Sequence, residues 1–313
     1  MVNTHNEKTY SLFNLFAPIV LLLSIGALTA PNCVKADFVP FETTRIKSTA
    51  GTGIASLLVD EASSLNPASL GFFNISSLYV QKTKESFSRY HTSSINPSSD
   101  ESDLTGLIIS DAKGRLKGSF SYHRQDDQQN SRQRYGISVA AAGGEQSSMG
   151  FSYLHYKDHL QSSDGSYYKE DFHLLVFGIT HALNRSFTIG TVVIDPTKQR
   201  AGETRAIVGV QYTFRNFIYL MADLGSDYNR TLSETVLYRA AAQFKIFSDF
   251  YLRFGASNDR GKRIKSSGIG IGWVQPRLVI NISIKNSQQD RSIVLDQKRV
   301  DLKESSFSLS YHF

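Results

Sequence analysis

From Ser76 to Phe313 the chain repeats one unit: a run of roughly ten residues with alternating apolar and polar side chains, then a polar or glycine-bearing connection. A period of two sends alternate residues to opposite faces of a strand, so each run has one greasy face and one polar face. In RLKGSFSYHR, Leu116, Phe120 and Tyr122 oppose Lys117, Ser119, Ser121 and His123. SDFYLRFGAS sets Phe250, Leu252, Phe254 and Ala256 against Tyr251, Arg253, Gly255 and Ser257. PRLVINISIK sets Leu278, Ile280, Ile282 and Ile284 against Arg277, Val279, Asn281, Ser283 and Lys285. The last residues follow the same rule, Phe307, Leu309, Tyr311 and Phe313 alternating with Ser306, Ser308, Ser310 and His312. Two runs, DFHLLVFGIT and FIYLMADL, are apolar on both faces, which suits strands that touch something packed inside.

About fourteen such runs can be bounded, the first at 76–85 and the last at 301–313. Short connections (Asp111–Gly114, Ala142–Glu145, Leu183–Arg185, Phe214–Asn216, Phe247–Asp249, Val274–Arg277) alternate with longer ones such as Ser86–Glu101, Asp195–Ala201 and Ser287–Val300. Tight turns at one rim and longer loops at the other are the mark of a barrel that crosses a bilayer, and a β-sandwich imposes no such rule. The predicted fold is all-β: a transmembrane antiparallel β-barrel of about fourteen strands, apolar faces to lipid and polar faces to a lumen. Beyond the N-terminus no apolar run is long enough to be a spanning helix, so helical membrane proteins are excluded. A formal net charge of +6, dispersed along the chain, offers no footprint for nucleic acid.

Phe13 to Leu28 is apolar, broken only by Asn14, Pro18, Ser24 and Gly26, and is shorter than the roughly 20 residues of a spanning helix. It reads as an export signal, residues 1–36, cut after Ala36 with Ala30 as second choice. Cys33, the one cysteine, leaves with it, which suits an oxidising compartment. Residues 37–75 have a different grammar: Ile54, Leu57, Leu58 and Leu65 fall at helical spacings, and Asn66-Pro67 punctuates the run. This predicts a short helix and a proline-initiated turn, packed as a plug inside the barrel proper, residues 76–313.

Gly51-Thr52-Gly53-Ile54-Ala55, Asp60-Glu61-Ala62-Ser63 and Asn66-Pro67-Ala68-Ser69-Leu70 resemble the N-terminal hallmark of the FadL-type outer-membrane transporters and of the related PorV-type barrels. The spacings between the three pieces are tighter than in those families, and the loops are modest. The FadL resemblance implies a fourteen-stranded barrel with an N-terminal plug that carries hydrophobic compounds such as long-chain fatty acids. The PorV resemblance implies a barrel that docks or assembles other envelope proteins and transports nothing. The closing Phe307, Leu309, Tyr311 and Phe313 are similar to the sorting signal that bacterial barrels present to the barrel-assembly machinery. The partners so implied are that machinery, outer-membrane lipid with lipopolysaccharide, and a hydrophobic small-molecule ligand; the implied location is the bacterial outer membrane.

The candidate gate is Asp60, Glu61, Asn66 and Pro67, whose two acids need basic partners in a low-dielectric lumen. The inward faces offer Lys117, Arg134, Arg205, Arg239, Lys245, Arg253, Lys265, Arg277 and Lys285 as candidates to hold a carboxylate or phosphate. The plainer reading, favoured by the polar interiors of such barrels, pairs these charges with the plug or with water. Gly268, Gly270 and Gly272 in SSGIGIGW read as relief of sheet curvature, with close approach of another backbone or a ligand as the alternative. His155, His159 and His173, with Asp158 and Asp171, lie near one longer loop, but no Ser-His motif accompanies them and they read as polar rim residues. No enzyme activity, metal or cofactor is expected.

Overall fold

The computed structural model describes residues 40–91, 96–127, 129–161, 165–200, 202–290 and 297–313. The expected export signal therefore lies outside the described residues, as do Asp37, Phe38 and Val39 of the expected plug segment.

Fourteen strands form one ring: β1 (Ser76–His91), β2 (Ser98–Asp111), β3 (Leu116–Asp126), β4 (Ser131–Ala142), β5 (Ser147–Gln161), β6 (Tyr167–Ala182), β7 (Phe187–Ile194), β8 (Arg205–Phe214), β9 (Ile218–Ser226), β10 (Leu237–Lys245), β11 (Phe250–Asp259), β12 (Ile264–Val274), β13 (Leu278–Asp290) and β14 (Gln297–His312). Each strand pairs antiparallel with its sequence neighbours, and β1 pairs with β14 to close the barrel, Ser77 opposite His312. At the seam the Phe313 N–H donates to the Ser76 carbonyl at 2.9 Å, and the Ser76 N–H donates back at 3.1 Å. Closure leaves no open edge for another chain to pair with.

The alternation sorts as the period of two requires. Phe120, Ile137, Phe151, Phe177, Ile269, Ile282 and Phe307 point outward and are exposed, while Ser121, Ser138, Ser152, Arg253, Asn281 and Ser308 point inward and are buried. Leu174 and Val176 of β6, from a run apolar on both faces, point inward against the plug residue Ile54.

Two expectations about connections change. The first long loop is shorter than 86–101, because β1 runs on to His91 and β2 starts at Ser98. At the same rim the segments 127–130 and 260–263 are as short as the turns opposite, so length alternates less strictly than the sequence implies.

Residues 41–72 fill the lumen. The helix expected over Ile54–Leu65 does not form; helix α1 lies earlier, at Thr44–Ser48, and a 3₁₀ helix at Pro67–Phe72 follows the turns between them. The backbone from Ala50 to Gly53 explains the shift. Ala50, Gly51 and Gly53 have φ of 50°, 84° and 134°, left-handed values that end a helix. The N–H groups of Gly53 and Ile54 bond the wall carboxylate of Asp223 at 2.9 and 3.3 Å, which ties the turn to β9. Ile54 then packs on Leu154, Leu174, Val176, Val192, Ile207 and Leu237, so its apolar spacing serves the wall rather than a helix face.

Candidate functional site

The site is the lumen, where plug and wall meet in two different ways. On the side of β11 to β14, helix α1 is held by charge. Thr43 caps it, Oγ1 accepting from the Ile46 N–H at 3.2 Å, and the Thr44 N–H donates to the Tyr79 hydroxyl at 3.0 Å. Lys47 forms a fully buried ion pair with Glu304 of β14. Lys285 of β13 reaches Glu42 at 2.6 Å and Glu304 at 3.7 Å. Burial works against ionising Glu42, but Lys285, with Lys47 and Arg239 behind it, outweighs burial and holds the carboxyl below its usual range. Burial likewise works against the Lys47 ammonium, and Glu304, Glu85 and Glu42 more than offset it, leaving it raised.

The candidate gate residues find their partners largely within the chain's own plug. Glu61 takes Arg45 of α1 at 2.9 Å and the Thr43 hydroxyl at 3.0 Å, while Asp60 lies 3.6 Å from His312 on the last strand. Asn66 caps the 3₁₀ helix, Oδ1 accepting from the Ala68 N–H at 3.0 Å, and Pro67 occupies the first helical position, where its missing N–H costs nothing. The Asn66 amide also donates to the Ile54 carbonyl at 2.8 Å and to Thr180 of β6 at 2.9 Å, so it ties the two turns of the plug to the wall.

Several predicted inward cations meet the plug backbone or one another's ligands. Lys117 donates to the carbonyls of Gly71, at 2.8 Å, and Phe73. Arg239 donates to the Gly51 carbonyl at 2.8 Å. Arg253 is held by Gln243 at 2.9 Å and Asn281 at 2.8 Å, and Arg205 pairs with Asp259 at 2.8 Å. Two placements need correction. Arg277 is exposed on the turn before β13, since that strand begins at Leu278 and its alternation does not extend back to the arginine. Lys265 is exposed on the same face as Ile269 and Ile271, two and three rungs along the outward row of β12.

The wall glycines form the seat of the plug, a role sequence reasoning set below curvature. A Cβ on Gly268 would lie 2.2 Å from the Lys47 carbonyl oxygen, one on Gly255 2.2 Å from that of Thr49, and one on Gly150 2.5 Å from Pro67 and Ala68 backbone. Gly190 meets the Ile54 carbonyl in the same way, at 2.5 Å. Backbone packs on backbone at these points, and only glycine permits it.

The plug divides the remaining space. Toward the longer-loop rim lies a cavity of about 160 Å³ between Phe41 and Leu65 of the plug and the apolar wall of Leu154, Phe172, Leu174 and Val176. Toward the short-turn rim a second cavity, of about 280 Å³, is lined by Leu57, Leu58 and Val59 of the plug with Tyr219, Tyr251 and His312. Arg134, at the first cavity, is buried; it donates to Ser64 at 3.1 Å and to His123 Nδ1 at 3.0 Å, and the Phe41 ring covers its guanidinium at 5.0 Å.

The histidines do not assemble a catalytic group. His155 and His173 face one another across β5 and β6 on the outward row, where His173 stacks on Tyr153. Asp158 lies on the opposite, lumen-side row and is gripped by Arg132 at 2.7 and 2.5 Å. Among the described residues no cluster of three His, Cys, Asp or Glu side chains is placed to hold a metal ion.

No family model matches the chain, and no curated protein sequence does. Solved structures do match. The toluene transporter TbuX of Ralstonia pickettii superposes with a TM-score of 0.68 at 10% identity, over 89% of this chain and 100% of that one. The toluene transporter TodX of Pseudomonas putida gives 0.64 at 10% identity, over 88% and 98%. A Pseudomonas aeruginosa FadL homologue gives 0.61 at 12% identity, over 88% and 98%. The chain has the FadL-like barrel fold. That likeness is one of architecture, and what the lumen carries has to be argued from its own residues.

Proposed function

We propose that this chain is an outer-membrane barrel, exported behind a leader cleaved after Ala36, that passes small hydrophobic or amphipathic molecules across the bilayer. The observation that carries the reading is a lumen stopped by the chain's own segment, with a cavity on each side of the stopper, the outer one faced by Leu154, Leu174 and Val176 and the other by Leu57, Leu58 and Val59 beside Arg45, Asp60, Glu61 and Arg253. A continuous outward row of apolar side chains supports the membrane setting, because leaving such surface in water costs about 25 cal/mol per Å². The solved relatives named as toluene transporters support the class of cargo. A molecule entering from the longer-loop rim rests against Leu154, Leu174 and Leu65, and leaves when the plug shifts.

Heat-modifiable migration on a gel and insolubility without detergent test the barrel. Uptake into proteoliposomes tests the transport: an apolar solute enters faster than through empty liposomes, and mild-detergent extracts carry a bound amphiphile. A docking barrel of the PorV kind gives no uptake and only bulk lipid. A large steady current through the intact protein in a planar bilayer overturns the plugged picture, and deletion of residues 37–73 raises the current if they stop the lumen.

A further inference from the structure

Around the 160 Å³ cavity the charges are matched with one exception. Arg132 is engaged by Asp158, and Glu203 by Lys262 at 3.1 Å, its carboxyl held low by Lys262 against the opposing effect of burial. Arg134 has no such partner. Among the described residues no carboxylate lies within ion-pair distance of it; the groups it bonds, Ser64, His123 and the Tyr156 hydroxyl, are neutral, and its Nε has no hydrogen-bond partner. The residue is 3% exposed. A guanidinium kept out of water without a counter-ion is an expensive arrangement, and an anion brought beside it recovers part of that energy.

The rest of the cavity sets the shape of what carries the anion. Leu65, Leu154, Leu174, Val176 and Ile194 supply apolar surface, Phe41 caps the guanidinium, and Tyr156 and Phe172, stacked on each other at 4.6 Å with Arg200 over the Phe172 ring at 3.8 Å, add aromatic edges. The volume is close to that of an apolar cavity of about 150 Å³ that binds benzene. It takes one ring and is too small for a long acyl chain. Deepening the transport reading, on which it rests, we propose that the outer cavity is a binding site for single-ring aromatic carboxylates, the carboxylate on Arg134 and the ring against Leu154, Leu174 and Phe172. A ring is also rigid, so it surrenders less freedom on binding than a flexible chain of equal volume.

The test is equilibrium binding of benzoate, toluene and decanoate to the whole protein in detergent micelles, with heat-modifiable migration confirming the fold of each variant. The wild type is expected to bind benzoate at least tenfold more tightly than toluene or decanoate. Arg134→Gln is expected to weaken benzoate at least tenfold while leaving toluene unchanged or tighter, and Arg134→Lys to keep most of the benzoate affinity. Leu174→Trp, which fills the cavity and leaves Arg134 in place, is expected to abolish benzoate binding, and it decides the matter should Arg134→Gln fail to fold. Benzoate binding indifferent to Arg134→Gln or to Leu174→Trp overturns the proposal. Toluene bound better than benzoate by the wild type overturns it too, yet leaves the transport reading standing; failure of all three probes to bind or to enter proteoliposomes counts against both.

Discussion

The two sides of the lumen hold the same plug by opposite means. Beside β12 to β14, α1 is fastened by Lys47 to Glu304 and by Glu42 to Lys285, in a wall otherwise lined with Ser283, Ser306, Ser308 and Ser310. Beside β5 to β8, Ile54 rests on Leu154, Val176, Val192 and Ile207 with no ion pair in the cluster. Charge pairs demand one geometry and fail when one partner is lost, whereas apolar contact tolerates sliding and repacking. The first side positions the plug, and the second is the side on which the outer cavity opens.

The largest way to break this contrast is Lys47→Met, which takes the close ion pair from buried Glu304 and leaves it only Lys285, 3.7 Å away and already engaged by Glu42. It is expected to destabilise the folded barrel by about 3–5 kcal/mol, read as a lowered thermal midpoint in detergent, and to raise single-channel current. Gly268→Val tests the seat rather than the charge. Its Cβ collides with the Lys47 carbonyl, and a loss of about 1–3 kcal/mol is expected with the same rise in current. On the apolar side Ile54→Val is expected to remove only about 0.5–1.5 kcal/mol and to leave the current closed. Were Ile54→Val to open the barrel as widely as Lys47→Met, the assignment of positioning to the charged side would be wrong.

Acid sharpens the comparison more gently. Glu42 is held below its ordinary value, so its contribution is complete above the unfolded carboxylate range of about 4.3 and is lost as pH falls through the lower folded value. The thermal midpoint of the wild type is expected to be flat near neutral pH and to drop below about pH 4, and Glu42→Gln to start lower and lose part of that slope.

The fourteen strands were legible because a period of two is local: each run such as Phe250 to Ser257 declares both faces without knowledge of its neighbours. Legibility ended where the partner is distant. Extending an alternation past the strand that supports it puts Arg277 inward, where the strand itself does not reach. Ile54, Leu57 and Leu58 carry a helical spacing, yet the surfaces that receive them, Val192 and Ile207 for Ile54, lie far along the chain. The glycines of β12 looked like curvature because nothing local says that Lys47 and Ser48 lie against them. Arg134 is undistinguished in the sequence among nine candidate cations, since lacking an acid is visible only once every acid has been placed.

Glycines 150, 190, 255 and 268 belong to β5, β7, β11 and β12, so no single hairpin contains the hollow that receives the plug. The hollow comes into being when those strands stand in their final order. During biogenesis the N-terminal segment, although made first, therefore has nowhere to settle until the wall is built around it, and its docking reports that the ring is complete.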